Sequence, residues 1–317
     1  MKQRSLGRSG LLVSQIGLGC GNFGWRVEPA TARAVIGKAL DLGITLFDTA
    51  DAYGEGRSEE VLAEALGDRR KEVIVATKWG KFGWPANAPG NEIRPGSRAC
   101  ILRSLEGSLR RMRTDYIDLY QIHLGDPLTP IEETLLTLDA VIRQGKVRYI
   151  GVSNMSTWQI VEAELIAREL GVERFVSFQD RYSLLAREIE STVFPATDRY
   201  GIGLLPNYPL AEGLLTGKYR RDAAVPEGSR LAIWSLMRER VINDANWALL
   251  ENLRAFVDER GHTLIELAMS WLMTRPQVSS IIAGASKPEQ LEQNIAATHW
   301  TFTQEELAAI DALTRPK

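Results

Sequence analysis

The chain is poor in cysteine, in histidine and in long apolar runs, and it carries almost no net charge. Only Cys20 and Cys100 occur among 317 residues. They are far apart and lack the close spacing of a metal site, so they read as free thiols of a reducing compartment, and no metal is expected. The longest apolar stretches, such as Gly201 to Leu205 and Val278 to Gly284, fall well short of the roughly 20 residues that cross a bilayer. Met1-Lys2-Gln3-Arg4 leads into polar residues rather than an apolar signal segment, which predicts a cytoplasmic protein. A net charge of −2 gives no electrostatic reason to expect nucleic acid or an anionic membrane as partner. No Pro- or Ser-rich linker and no low-complexity segment divides the chain, so residues 1–317 are expected to form a single domain. What is present, 44% hydrophobic and 25% charged residues, suits an ordinary globular protein.

The order of segments is more informative. Arg4 to Val13 reads as a β-hairpin with Arg-Ser-Gly in its turn, followed by a strand over Ser14 to Gly19. Strand-like and helix-like stretches then alternate. Helices are predicted over Thr31 to Leu42, Ser58 to Leu66, Ala99 to Met112, Pro130 to Gln144 and Ser156 to Leu170. Another is expected from Glu188 to Tyr200, and then a loop over about Thr216 to Leu236. Helices follow over Asn243 to Arg260, Thr263 to Thr274, from Pro288, and over Gln304 to Leu313. Eight strands precede a helix, ending near Gly19, Asp48, Lys78, His123, Ser153, Gln179, Pro206 and Gly284. Eight βα units of about 35 residues each are the sequence form of a closed (β/α)8 TIM barrel. Here it would carry an N-terminal β-hairpin and extra C-terminal helices. The rival is a doubly wound open sheet. In support of that rival, Gly19-Cys20-Gly21-Asn22-Phe23-Gly24 satisfies the Gly-x-Gly-x-x-Gly pattern of a dinucleotide site, with Asp48 downstream. Against it, Trp25-Arg26-Val27-Glu28-Pro29 delays the helix that should open inside the motif.

Three strands end in an ionisable group: Leu46-Phe47-Asp48, Val73 to Lys78, and Ile117 to His123. Tyr53 follows Asp48 by five positions. In a parallel barrel such ends gather on one rim. Taken singly, each has a plain reading: Asp48 braces its loop, Lys78 makes an interior ion pair, and His123 is a structural histidine. Together they form a proton-delivery device. A phenol with pKa near 10 is a poor acid at neutral pH, and a nearby ammonium should lower that pKa. A carboxylate keeps the ammonium charged where water is excluded, and an imidazole can orient a substrate oxygen. Such a group serves an oxygen that becomes negative, for example a carbonyl receiving hydride.

With these residues in view, the sequence resembles the aldo-keto reductase family across essentially its whole length. The matches are Asp-Thr-Ala-x-x-Tyr at Asp48 to Tyr53, Thr77-Lys78, His123, Gly-Val-Ser-Asn at Gly151 to Asn154, and Gln179. Pro-Leu-Ala-x-Gly-Leu-Leu-Thr-Gly-Lys-Tyr at Pro209 to Tyr219 and Gly-Ala-Ser-Lys-Pro-Glu-Gln at Gly284 to Gln290 complete them. The resemblance implies that Tyr53 is the general acid, tuned by Lys78 and Asp48, with His123 orienting the carbonyl. It implies a nicotinamide nucleotide across the rim, its carboxamide held by Ser153, Asn154 and Gln179. Pro209, Leu210, Gly213, Leu215, Gly217, Lys218 and Arg230 would cover the pyrophosphate, with Cys20 and Gly21 contributing loop backbone. Gly284, Ser286, Lys287, Gln290, Gln293 and Asn294 would meet the adenosine end. Ser and Lys at a strand-to-helix turn suit a 2′-phosphate, which favours NADPH over NADH.

The family's aromatic residue two positions before the Pro of Pro-Leu-Ala is here Asn207, with Tyr208 beside it. Gln293 stands where Glu is common. Trp25, Trp79, Trp84 and Trp234 are expected around the pocket mouth, where aromatic walls suit a ring-bearing or apolar aldehyde or ketone, or the apolar face of a sugar. The expected partner is thus a small-molecule carbonyl compound. Two other classes fit less well. One is a nucleotide-binding regulator resembling the potassium-channel β subunits, in which asparagine replaces the strand-four histidine. The other is a Schiff-base barrel with Lys78 as nucleophile, disfavoured because Asp48 would keep that amine protonated.

Overall fold

The computed structural model describes residues 1–81 and 94–315. A hairpin comes first, β1 (Gln3–Ser5) antiparallel to β2 (Leu12–Ser14). Eight parallel strands follow: β3 (Ile16–Gly19), β4 (Leu46–Asp48), β5 (Ile74–Trp79), β6 (Ile117–Ile122), β7 (Val147–Ser153), β8 (Ser177–Arg181), β9 (Gly203–Asn207) and β10 (Ile281–Gly284). They pair in chain order, β10 lies against β3, and a parallel bridge from Leu204 to Val278 closes the ring between β9 and β10. This is the (β/α)8 barrel. The glycine-rich run after β3 opens no helix, because α1 (Pro29–Asp41) begins ten residues beyond Gly19, and the open-sheet rival falls with it.

The outer helices continue with α2 (Arg57–Leu66), α3 (Arg98–Arg111), α4 (Ile131–Arg143) and α5 (Thr157–Leu170). Local signals set their ends. Glu132 and Glu133 occupy the positive first turn of α4, Ser156 and Gln159 form a capping box on α5, and Gly171 closes α5 in the left-handed conformation. The single helix predicted over Glu188 to Tyr200 is instead two, α6 (Ile189–Thr192) and α7 (Phe194–Tyr200). Pro195 explains the break, since its ring would collide with the carbonyl one turn earlier. The predicted loop over Thr216 to Leu236 also holds α8 (Arg230–Ile233) and the start of α9 (Ser235–Val241). Helices α10 (Asp244–Asp258), α11 (Leu264–Met273), α12 (Pro288–Ala296) and α13 (Gln304–Thr314) finish the chain. No helix among the described residues is long and apolar enough to cross a membrane.

The bore of the barrel is layered. Side chains alternate along each strand, so Leu46, Ala76, Leu119, Leu205 and Ile282 pack in an apolar layer, plugged from below by Leu6, Leu11 and Val13 of the hairpin. Gly7 makes the plug possible: at φ +57° its missing Cβ would lie 2.5 Å from the Gly201 carbonyl oxygen. Two residues further along β4, β5 and β6, the alternation delivers Asp48, Lys78 and Gln121, which with Gln179 of β8 form a buried polar layer over the apolar one. Hydrophobicity below and polarity above place the chemistry at the strands' C-terminal rim.

Candidate active site

Lys78 lies at the centre of the polar layer, fully buried on β5. Its ammonium donates to Asp48 Oδ2 at 2.8 Å, to the Thr49 carbonyl at 2.9 Å and to Tyr53 Oη at 3.4 Å. Three protons meet three acceptors. Asp48 is 4% exposed and also accepts from Gln179 Nε2 at 2.8 Å. Tyr53 stands in a tight turn (Tyr53–Gly56) that runs into α2 and contains positive φ at Gly54, Glu55 and Gly56. Gly56 is required, because a Cβ there would meet the Arg111 side chain at 2.6 Å in a left-handed backbone. His123, just beyond β6, presents its ring edge-on to Tyr53 with centroids 5.7 Å apart. Four groups from three separate stretches of the chain therefore meet at one point on the rim.

Their electrostatics separate their roles. Burial alone would push the Lys78 ammonium down, but the Asp48 carboxylate and the Tyr53 phenol reverse this and its pKa is raised. Tyr53 is raised too, contrary to the lowering expected from the sequence. Desolvation dominates, the Asp48 charge and Tyr208 add to it, and the Lys78 ammonium offsets only part. Tyr53 is thus a fully protonated donor at neutral pH. Burial, then the ammonium groups of Lys78 and Lys81, hold His123 well below the usual histidine range. A neutral imidazole can orient an oxygen, but it has no proton to give at pH 7.

Asp51 shares the turn. Burial, then the nearby Glu59 carboxylate, raise its pKa to about 7, against the pull of Arg111. An acid with folded pKa above its unfolded value costs stability as pH rises between the two. Asp51→Asn is therefore expected to raise the melting temperature relative to wild type at pH 8 and to leave it unchanged near pH 4. An equal effect at both pH values would refute the assignment.

These groups open into a cavity of about 1310 Å³. Gly21, Trp25, Asp48, Tyr53, His123, Ser153, Asn154, Gln179, Asn207, Tyr208, Pro209, Arg230, Trp234 and Gly284 all line it. Asn154, at φ +48°, donates to the His123 carbonyl at 3.0 Å and to Ser153 Oγ at 2.9 Å. The Asn207 side-chain oxygen is buried with no partner among the described residues, and Tyr208 takes a positive φ with Arg181, Arg230 and Arg240 around its ring. Trp25 and Trp234 meet edge-on at 5.7 Å with the Arg26 guanidinium against both rings.

Other predicted residues lie elsewhere. Cys20 and Leu215 are wholly buried in the core, and Leu210, Gly213, Gly217 and Lys218 belong to the segment beyond the cavity lining. Ser286, Lys287, Gln290, Gln293 and Asn294 are likewise off the lining, at the start of α12 and along it. There the Ser286 amide donates to Gln290 Oε1 at 2.7 Å. Trp79 is a correction: it points outward from β5, fully buried, stacked on Tyr120 and donating to the Pro95 carbonyl at 2.8 Å. Because Lys78 faces the bore, its neighbour cannot. Trp84 lies outside the described residues. Sequence reasoning missed Leu124, Arg181, Met237 and Arg240 on the cavity wall, since no motif marks them. It also missed Glu212, buried and paired with both Arg181 and Arg240.

The sequence profile of the Aldo/keto reductase family matches residues 15–315. The chain belongs to that family. Among its relatives, a probable voltage-gated potassium channel subunit beta of Oryza sativa subsp. japonica is 35% identical, with 100% of this chain and 98% of that one covered. An L-glyceraldehyde 3-phosphate reductase of Escherichia coli (strain K12) is 36% identical over 98% of this chain and 92% of the other. The uncharacterized oxidoreductase YrpG of Bacillus subtilis (strain 168) is 35% identical over 98% and 95%. This aldo/keto reductase thus has relatives with an enzyme's name and relatives with a channel subunit's.

Proposed function

We propose that the protein is an oxidoreductase that reduces aldehyde and ketone carbonyls with NADPH, in the reducing compartment that its two unpaired thiols suit. The observation that carries this reading is the contact of one buried ammonium with both Asp48 and Tyr53 at the floor of a cavity. The residues fit a nicotinamide nucleotide. The orphaned Asn207 oxygen calls for a donor, Gly284 lets a ligand approach the backbone beside Arg230, and Ser153, Asn154 and Gln179 offer amide and hydroxyl groups suited to a carboxamide. When bound, the nucleotide supplies hydride.

The chain's own residues do the rest. His123, neutral, holds the carbonyl oxygen near Tyr53 Oη. Tyr53 gives that oxygen its proton as negative charge develops, and Lys78 stabilises the phenolate left behind. Asp48 keeps the Lys78 ammonium charged. Trp25, Leu124, Trp234 and Met237 form a largely apolar stretch of wall that suits an apolar or ring-bearing carbonyl compound. Lys287 and Ser286, at the α12 N-terminus, suit a 2′-phosphate.

Steady-state oxidation of NADPH and NADH with a panel of aldehydes tests this reading. Turnover is expected with NADPH favoured, and Lys287→Ala is expected to raise the NADPH KM about tenfold while sparing NADH. Equal use of both nucleotides and no loss in the variant would sink the NADPH preference. Similarity to the channel β subunits favours a second reading, a nucleotide-holding regulator; tight NADPH binding with negligible turnover across the panel would support it. His123 beside Tyr53 favours the enzyme.

A further inference from the structure

Asp48 and Gln179 face each other across the barrel. Their strands, β4 and β8, are four places apart in either direction around the closed ring of eight. The 2.8 Å hydrogen bond from Gln179 Nε2 to Asp48 Oδ1 therefore spans the bore rather than running along its wall, and both residues are buried. The other carboxylate oxygen holds Lys78, whose remaining protons go to the Thr49 carbonyl and to Tyr53 Oη, the latter being the longest of the three contacts. A carboxylate turns easily about its last torsion. Held at one oxygen only, Asp48 would be free to rotate, and Lys78 would follow it away from the phenol.

From this geometry we infer that Gln179 is a positioning residue for the proton donor, acting through Asp48 and Lys78 on Tyr53; the inference rests on the reductase reading above. Its amide nitrogen is committed to Asp48, which leaves the amide oxygen as the atom able to accept from a carboxamide. Gln179 thereby joins the nucleotide's place to the proton-delivering group. It does not merely grip the ligand.

Gln179→Met keeps the length of the side chain and removes both the donor to Asp48 and the oxygen facing the carboxamide. In NADPH-dependent reduction of 4-nitrobenzaldehyde, kcat at saturation is expected to fall about tenfold or more. The solvent deuterium isotope effect should rise, because proton delivery becomes slower, while the effect of 4-deuterated NADPH does not. The NADP+ dissociation constant, from tryptophan fluorescence, should weaken by no more than about tenfold, the loss of one hydrogen bond to the carboxamide. A tenfold weaker dissociation constant with kcat unchanged, or a rise confined to the 4-deuterium effect, would overturn the inference. A crystal structure of the nucleotide-free variant gives a readout independent of turnover. Asp48 should be rotated and the Lys78–Tyr53 separation should exceed 3.4 Å; unchanged geometry would also overturn it. Should the wild-type protein reduce no carbonyl, the reductase reading fails by itself, and the variant's structure and nucleotide titration still decide whether Gln179 positions Asp48.

Discussion

Tyr53→Phe is expected to lower kcat for carbonyl reduction by about 10³-fold while leaving the NADPH dissociation constant within about twofold of wild type. The expectation follows from which groups hold protons at neutral pH. His123 is held neutral by burial and two ammonium groups. Lys78 is charged and has all three protons engaged. Tyr53 keeps its proton because burial raises its pKa, and its hydroxyl touches the ammonium that would stabilise the phenolate. Removing that one oxygen deletes the donor and changes no packing, since the ring and its edge-on contact with His123 remain. Stopped-flow single turnover with one aldehyde would measure the loss. Wild-type rates in the variant would move the proton source to another group and sink the assignment.

Lys78→Met is expected to abolish turnover and also to destabilise the fold by about 3–5 kcal/mol, because it leaves the Asp48 carboxylate buried without its cation. The pair is 2.8 Å apart and both members are buried, so solvent does little to screen it. The accompanying Asp48→Asn/Lys78→Met double variant should recover part of the loss, since an unpaired charge no longer remains. Lys78 has its folded pKa above the unfolded value. Its contribution is therefore fully present below about pH 10 and is lost as pH rises through the folded pKa. Urea denaturation of the wild type and both variants at pH 7 checks the magnitudes. Stability within about 0.5 kcal/mol of wild type for Lys78→Met would mean that the pair is not desolvated as described.

Much of the barrel was legible because its signals are local. Apolar runs broken by glycine and polar turns marked the eight strands, and capping residues such as Ser156 and Thr263 marked helix starts. Asp48, Lys78 and His123 could be placed on one rim because strand ends in a parallel barrel share it. The tie from Gln179 to Asp48 was not legible, since its partners lie 131 positions apart and meet only through ring closure. The direction of the Tyr53 shift was misjudged for a related reason: sequence shows the ammonium but not the depth of burial that outweighs it. Trp79 was avoidable, because strand alternation places it opposite Lys78. The helices α8 and α9 are too short to develop a periodic stripe, and the contribution of Met237 and Arg240 from α9 to the cavity wall appears only in three dimensions.

Transfer of deuterium from 4-deuterated NADPH to a prochiral aldehyde, followed by mass spectrometry and NMR of the alcohol, tests the central claim most directly. One deuterium at the carbinol carbon, with none delivered there from D2O, is the predicted result. Tight nucleotide binding with no label transferred to any carbonyl in the panel would contradict it.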